Sequence, residues 1–96
     1  LTANPDGMMR GTRANSRGVD LNRNFPAKNW SGEQLFYRWT SDSPRDTKIS
    51  PGAFPGSEPE CSLLLELVKR LRPNYIVALH APLGCIDDAD GSPLAE

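Results

Sequence analysis

Hydrophobic positions are spread unevenly along this chain, and their spacing separates three regimes. In the clearest, Leu63, Leu64, Leu67, Val68 and Leu71 recur at the three- and four-residue intervals of one helical face. The flanking residues carry the matching punctuation. Ser57 followed by Glu60 reads as a capping box, Pro59 falls in the first turn, and Glu58 and Glu60 complement the positive end of the helix dipole. Lys69, Arg70 and Arg72 occupy the last turn and Pro73 ends it, so the pattern predicts a helix over residues 58–72.

A second regime follows directly. Tyr75-Ile76-Val77-Ala78-Leu79 is a continuous apolar run rich in β-branched and aromatic residues, which predicts a strand over residues 75–80 covered on both faces. Helix, short turn and buried strand together are an α/β signature. His80, the only histidine, stands at the end of that run.

The third regime is residues 8–56, where neither a helical nor an alternating period is sustained. Asn4-Pro5-Asp6-Gly7 predicts a tight turn before it, and Pro26, Pro44, Pro51, Pro55, Gly32, Gly52 and Gly56 interrupt it. A loop of roughly fifty residues is uncommon in a compact domain and tends to be functional or disordered. Phe25, Trp30, Leu35, Phe36, Tyr37 and Trp39 argue against disorder. The expectation is an ordered loop pinned by aromatics, with a short helical turn near residues 33–38.

Composition adds a limit on size. With 96 residues, 38% of them hydrophobic, nine prolines and eight glycines, the chain has little apolar surface for a core of its own. It opens on Leu1 and runs out through Pro93-Leu94-Ala95-Glu96 without a terminating signal, so it is expected to be an internal segment, residues 1–96 all belonging to one larger domain. A formal charge of −1 gives no support to nucleic-acid binding. Arg10, Arg13, Arg17 and Arg23 face only Asp6 and Asp20 within residues 1–23, a segment that either receives an anionic substrate or is simply a solvated basic surface. Cys61 and Cys85 lack the C-x-x-C spacing of a zinc knuckle or redox motif. One disulfide between them is possible, although Cys61 is most simply a small buried residue. No apolar run approaches the ~18–20 residues of a membrane span.

Two places carry candidate chemistry. His80, at a strand's carboxyl end, suits a metal ligand, a general base or a capping donor. In Asp20-Leu21-Asn22-Arg23-Asn24, a guanidinium fork beside an amide suits a carboxylate, with Asp20 able to hold an arginine in place. The alternative is an Asx-rich turn with an exposed arginine. Arg13 is a second arginine within reach of the same loop.

In order along the chain, Asn4-Pro5-Asp6-Gly7, Arg13 with Asn15, Gly18-Val19-Asp20-Leu21-Asn22-Arg23-Asn24-Phe25, Pro55-Gly56-Ser57-Glu58-Pro59-Glu60 and the strand ending in His80 resemble the zinc carboxypeptidase family of metallopeptidases. The stretches "RANSRGVDLNRNFPAKNW", "YRWTSDSPRD", "PGSEPE" and "PLGCIDD" are most similar to its bacterial murein peptide amidase branch. The resemblance implies an α/β/α fold with a central mixed sheet, and a zinc-dependent hydrolase acting on an amide bond beside a free carboxylate. For that branch the substrate is γ-D-glutamyl-meso-diaminopimelate in recycled cell-wall peptides, and the compartment is cytoplasmic. An ordinary, often secreted, metallocarboxypeptidase and a non-catalytic carboxylate-binding module are the alternatives.

The resemblance also implies roles. His80 matches a zinc ligand, Arg13 the arginine that stabilises the tetrahedral oxyanion, and Asn22 with Arg23 the pair that grips the substrate carboxylate. Arg10 and Arg17 receive no role from it. A cis Ala81-Pro82 bond is implied as well. The family's His-x-x-Glu motif and catalytic glutamate do not occur in these 96 residues, so the segment alone is expected to be inactive.

Overall fold

The computed structural model of the chain describes residues 2–38 and 42–79. Its elements are helix α1 (Pro5–Arg10), a 3-10 turn (Leu21–Arg23), strands β1 (Leu35–Arg38) and β2 (Arg45–Ile49), and helix α2 (Pro59–Leu71). This is a mixture of helix and strand, as the α/β reading requires.

The Asn-Pro-Asp-Gly stretch, expected to be a tight turn, instead starts α1. Asn4 is its N-cap, the side chain accepting the Gly7 N–H at 3.0 Å, and Pro5 occupies the first turn. The same residues that close a turn also open a helix, and Met8, Met9 and Arg10 extend it because unbranched side chains lose little freedom there. Gly11, at φ 65°, ends it in the left-handed conformation.

The helical turn expected near residues 33–38 is β1 instead. It pairs antiparallel with β2, Leu35 opposite Ile49, Phe36 opposite Lys48 and Tyr37 opposite Thr47, with an irregularity between Tyr37 and Arg38. Alternation exists here but is short. Leu35 and Tyr37 turn partly inward while Phe36 and Arg38 face out, and on β2 only Thr47 and Ile49 turn inward among charged neighbours. Four and five residues were too few to show a period.

α2 fulfils the helix expectation to within a residue at each end, but its capping box does not form. Glu58 is the N-cap residue and makes no side-chain cap bond. The Ser57 hydroxyl is engaged elsewhere, donating to Glu58 Oε2 at 2.7 Å and accepting from Asn24 Nδ2 at 3.0 Å. At the other end Arg72 adopts φ 45° and its N–H reaches Val68 O before Pro73.

Residues 75–79 correct the strand expectation. They form no strand, and Tyr75, Ile76, Val77 and Leu79 are exposed. A strand covered on both faces depends on ladder neighbours, and none of the described residues pairs with this run. Leu63, Leu67 and Leu71 of α2 are likewise open to solvent. The apolar residues that are buried, Val19, Leu21, Ile49 and Cys61, form a small cluster beneath the loop, so order in the described residues centres on that loop. No helix among them is long and apolar enough to cross a membrane.

Candidate carboxylate-binding site

The segment from Gly18 to Asn24 is fastened to the end of β2. Ser50 N–H donates to Gly18 O at 3.0 Å and Asp20 N–H donates to Ser50 O at 2.9 Å, a parallel bridge between Val19 and Ser50. Val19 and Leu21 turn inward, and the Cys61 thiol lies 3.4 Å from Leu21 O. Val19, Asp20 and Leu21 before it and Asn24 after it are buried, and Asn22 and Arg23 are left exposed on the 3-10 turn.

Both ends of that turn are buried polar groups. Asp20, only 5% exposed, accepts the Asn22 N–H at one carboxylate oxygen (3.1 Å) and the Arg13 Nε–H at the other (2.8 Å). Asn24 is fully buried. Its Nδ2 donates to Pro51 O (2.9 Å), Phe54 O (3.2 Å) and Ser57 Oγ (3.0 Å), and its Oδ1 accepts the Glu58 N–H (3.0 Å). Gly52 makes room for this. It sits at φ 96°, and a Cβ there would meet the Asn24 carboxamide and approach Ser57 Oγ to 2.5 Å.

Behind the turn a second buried pair joins loop to helix. Asn15 Nδ2 donates to Glu58 Oε1 at 2.8 Å, while Asn15 Oδ1 accepts the N–H groups of Arg17 and Val19. Glu58 is buried and also faces Arg17 at 3.5 Å. Burial opposes ionisation of this carboxyl, but the hydrogen bonds from Asn15 and Ser57 and the charge of Arg17 outweigh it and hold its pKa below the ordinary value.

The four arginines of the basic segment therefore differ. Arg13 is bound to Asp20, and its guanidinium lies 5.9 Å from the Tyr37 ring centroid. Arg17 is paired with Glu58. Among the described residues Arg23 reaches only the neighbouring Asn22 O, at 3.3 Å, which leaves most of its fork available there. Arg10, exposed in the last turn of α1, makes no hydrogen bond or ion pair among the described residues. Asn22 and Arg23 also border a depression of about 330 Å³ whose apolar lining includes Phe25, Trp30, Leu35 and Pro51. An amide and a guanidinium beside an apolar wall suit a ligand with a carboxylate next to an aliphatic stem.

Three of the residues singled out in the sequence, Arg13, Asn22 and Arg23, are thus brought into one structure around Asp20. His80, the Ala81-Pro82 bond and Cys85 lie outside the described residues. Cys61 is free and buried. No cluster of three His, Cys, Asp or Glu side chains that could hold a metal occurs among the described residues, so these residues by themselves do not make up a zinc site. Asn15 and Glu58 are the site's unanticipated supports; their burial depends on a contact across 43 positions.

The zinc carboxypeptidase family model matches residues 1–83. The chain belongs to the zinc carboxypeptidase family. It is 50% identical to murein peptide amidase A of Escherichia coli (strain K12) over the whole chain, and 44% identical to murein peptide amidase A of Vibrio campbellii. It also superposes on the crystal structure of murein-tripeptide amidase from Escherichia coli O157 with a TM-score of 0.89 and 49% identity, over 96% of this chain and 39% of that one. The chain spans about 40% of the length of the first curated relative. The family brings zinc with it, and the superposition places this chain within the carboxypeptidase-like α/β fold.

Proposed function

We propose that the complete protein is a zinc-dependent amidase that cleaves the amide bond next to a free carboxylate, with γ-D-glutamyl-meso-diaminopimelate of murein peptides as substrate. The observation that carries this reading is the exposed Asn22–Arg23 pair on a turn whose two ends, Asp20 and Asn24, are buried and hydrogen-bonded, beside an amphipathic depression. Such a pair offers directed donors to a carboxylate without having to be ordered by it. The names of the relatives support the substrate, since three of them are murein peptide amidases. A cytoplasmic location belongs to the proposal, because recycled cell-wall peptides are handled there.

In this reading Asn22 and Arg23 hold the carboxylate of the residue to be released. Arg13, oriented through its Nε by Asp20, turns its remaining N–H groups to charge developing on the carbonyl oxygen, an interaction strongest in the transition state. Zinc is the metal of the proposal, with His80 as one ligand. A second assignment for the oxyanion arginine is favoured by a specific observation: Arg13 is already paired with a buried carboxylate, whereas Arg10 has no hydrogen-bonding partner among the described residues.

Side-by-side turnover of γ-D-glutamyl-diaminopimelate tripeptide and ordinary C-terminal peptides by the complete protein tests the proposal. The murein peptide is expected to be preferred, with Arg23→Ala raising KM far more than it lowers kcat. Equal turnover of ordinary C-terminal peptides would replace the amidase with a general carboxypeptidase. In the same assay, whichever of Arg10→Ala and Arg13→Ala lowers kcat by about 10²–10³ under conditions where the variant is still folded identifies the oxyanion arginine.

A further inference from the structure

We propose that Asn24 is a positioning residue for the carboxylate clamp and acts through the N-terminus of α2. The inference rests on Asn22 and Arg23 being that clamp. Leu21–Arg23 is a single 3-10 turn closed by Arg23 N–H to Asp20 O (2.9 Å) and Asn24 N–H to Leu21 O (3.0 Å). So short a turn, with the poorer hydrogen-bond geometry of its class, does not fix its own direction. Direction comes from its ends.

Asp20 fixes the first end. The second is fixed by Asn24, whose carboxamide reaches out of the turn to Pro51 O, Phe54 O and Ser57 Oγ and receives the Glu58 N–H from residues 27 to 34 positions away. The receiving end of α2 is built for this contact rather than for the helix itself. Glu58 stands at the N-cap, where a side chain ordinarily accepts from the first turn, yet it makes no such bond. Its carboxylate accepts from Asn15 and from Ser57 instead, and faces Arg17. Ser57, next to it, serves both Asn24 and Glu58. The start of α2 forgoes its own cap, and apart from the local Ser57–Glu58 bond these contacts hold the loop that carries Asn22 and Arg23.

A support of this kind acts on one interaction. Loosening it changes the aim of Arg23 and so weakens the hold on a substrate carboxylate, while a substrate without that carboxylate has nothing to lose. Ser57→Ala is the mild perturbation, removing one of the three acceptors of the Asn24 carboxamide at the less buried edge; Asn24→Ala is the severe one. The complete enzyme is assayed on γ-D-glutamyl-diaminopimelate and on the analogue in which the carboxylate beside the scissile amide is a primary amide. Arg23→Ala comes first: a rise in KM for the acid but not for the amide confirms the clamp, and its absence overturns the clamp reading together with this one.

With the clamp confirmed, Ser57→Ala is expected to raise KM for the acid about three- to tenfold, the range of one neutral hydrogen bond. It leaves kcat and the KM of the amide analogue in place, and adds nothing to Arg23→Ala. Asn24→Ala follows the same pattern with a larger effect, and if it fails to fold, Ser57→Ala decides. Losses that fall equally on acid and amide, or that add to Arg23→Ala, overturn the proposal and leave Asn24 a purely structural residue even though the clamp stands.

Discussion

The pair formed by Asp20 and Arg13 allows a quantitative test in which stability, not activity, is read. Asp20 is 5% exposed and holds Arg13 Nε at 2.8 Å, but the Arg13 side chain is 41% exposed, so solvent screens the pair from one side. Breaking a fully buried pair costs ~3–5 kcal/mol, whereas exposed pairs contribute ~0.2–1 kcal/mol; a half-screened pair belongs near the lower figure, at about 1–1.5 kcal/mol. Asp20→Ala also removes the acceptor for the Asn22 N–H, a cap of about 1 kcal/mol, so its total is about 2–3 kcal/mol. Arg13→Ala keeps that cap but leaves a buried carboxylate with one partner fewer, at a cost of about 1–2 kcal/mol. Equilibrium urea unfolding of the complete wild-type protein, the two single variants and the double variant isolates the coupling. The expected value is about 1–1.5 kcal/mol with the double variant little worse than Asp20→Ala. A coupling below ~0.3 kcal/mol, the level at which independent sites simply add, would show that Asp20 does not hold Arg13 and would remove the basis for an oriented guanidinium.

Two further outcomes follow from buried titratable groups. The pKa of Glu58 is lowered in the folded chain from an ordinary value of 4.5, so its contribution to stability is fully present above that value and is lost as pH falls through the lower folded value. Urea midpoints between pH 6 and pH 3 should therefore fall more steeply for the wild type than for Glu58→Gln below about pH 4.5; parallel curves would mean that the carboxylate is not held in its charged form. The Cys61 thiol is pushed up to about 11, first by burial and then by the charges of Glu60, Glu58 and Asp20. At pH 8, peptide-level mass spectrometry after iodoacetamide treatment should find Cys61 unmodified in the native protein and modified in urea, and rapid native labelling would contradict its placement behind Leu21 O.

What the sequence made legible and what it concealed divide along a physical line. Asn22 and Arg23 could be put forward as candidates because directed donors grouped on a short loop stretch suit a carboxylate, and Arg13 because it lies within reach of the same loop; the roles proposed for them come from the family resemblance. α2 could be read because its apolar spacing, first-turn acids, last-turn cations and Pro73 are all local signals, each within a few residues of its effect. β1 and β2 could not, since a hairpin of four and five residues with Arg45, Asp46 and Lys48 on one strand carries almost no alternation. Its stability comes from the pairing itself and from Gln34 Nε2 reaching Ile49 O. The capping box failed for a related reason. Ser57 and Glu60 have the right spacing, but Asn24, 33 positions upstream, takes the Ser57 hydroxyl as an acceptor while Glu58 takes its proton. Local propensity loses there to a buried network because each unpaired polar group in that network would cost more than the cap contributes. The deciding partners, Asn15 with Glu58 and Asn24 with Ser57, are ordinary polar residues whose importance arises only when folding brings them together from 43 and 33 positions apart. Donors suited to a ligand can be proposed by residue type, and a neighbouring brace such as Asp20 with them; the distant partners that fix the loop are distinguished only by burial, which a single sequence does not display.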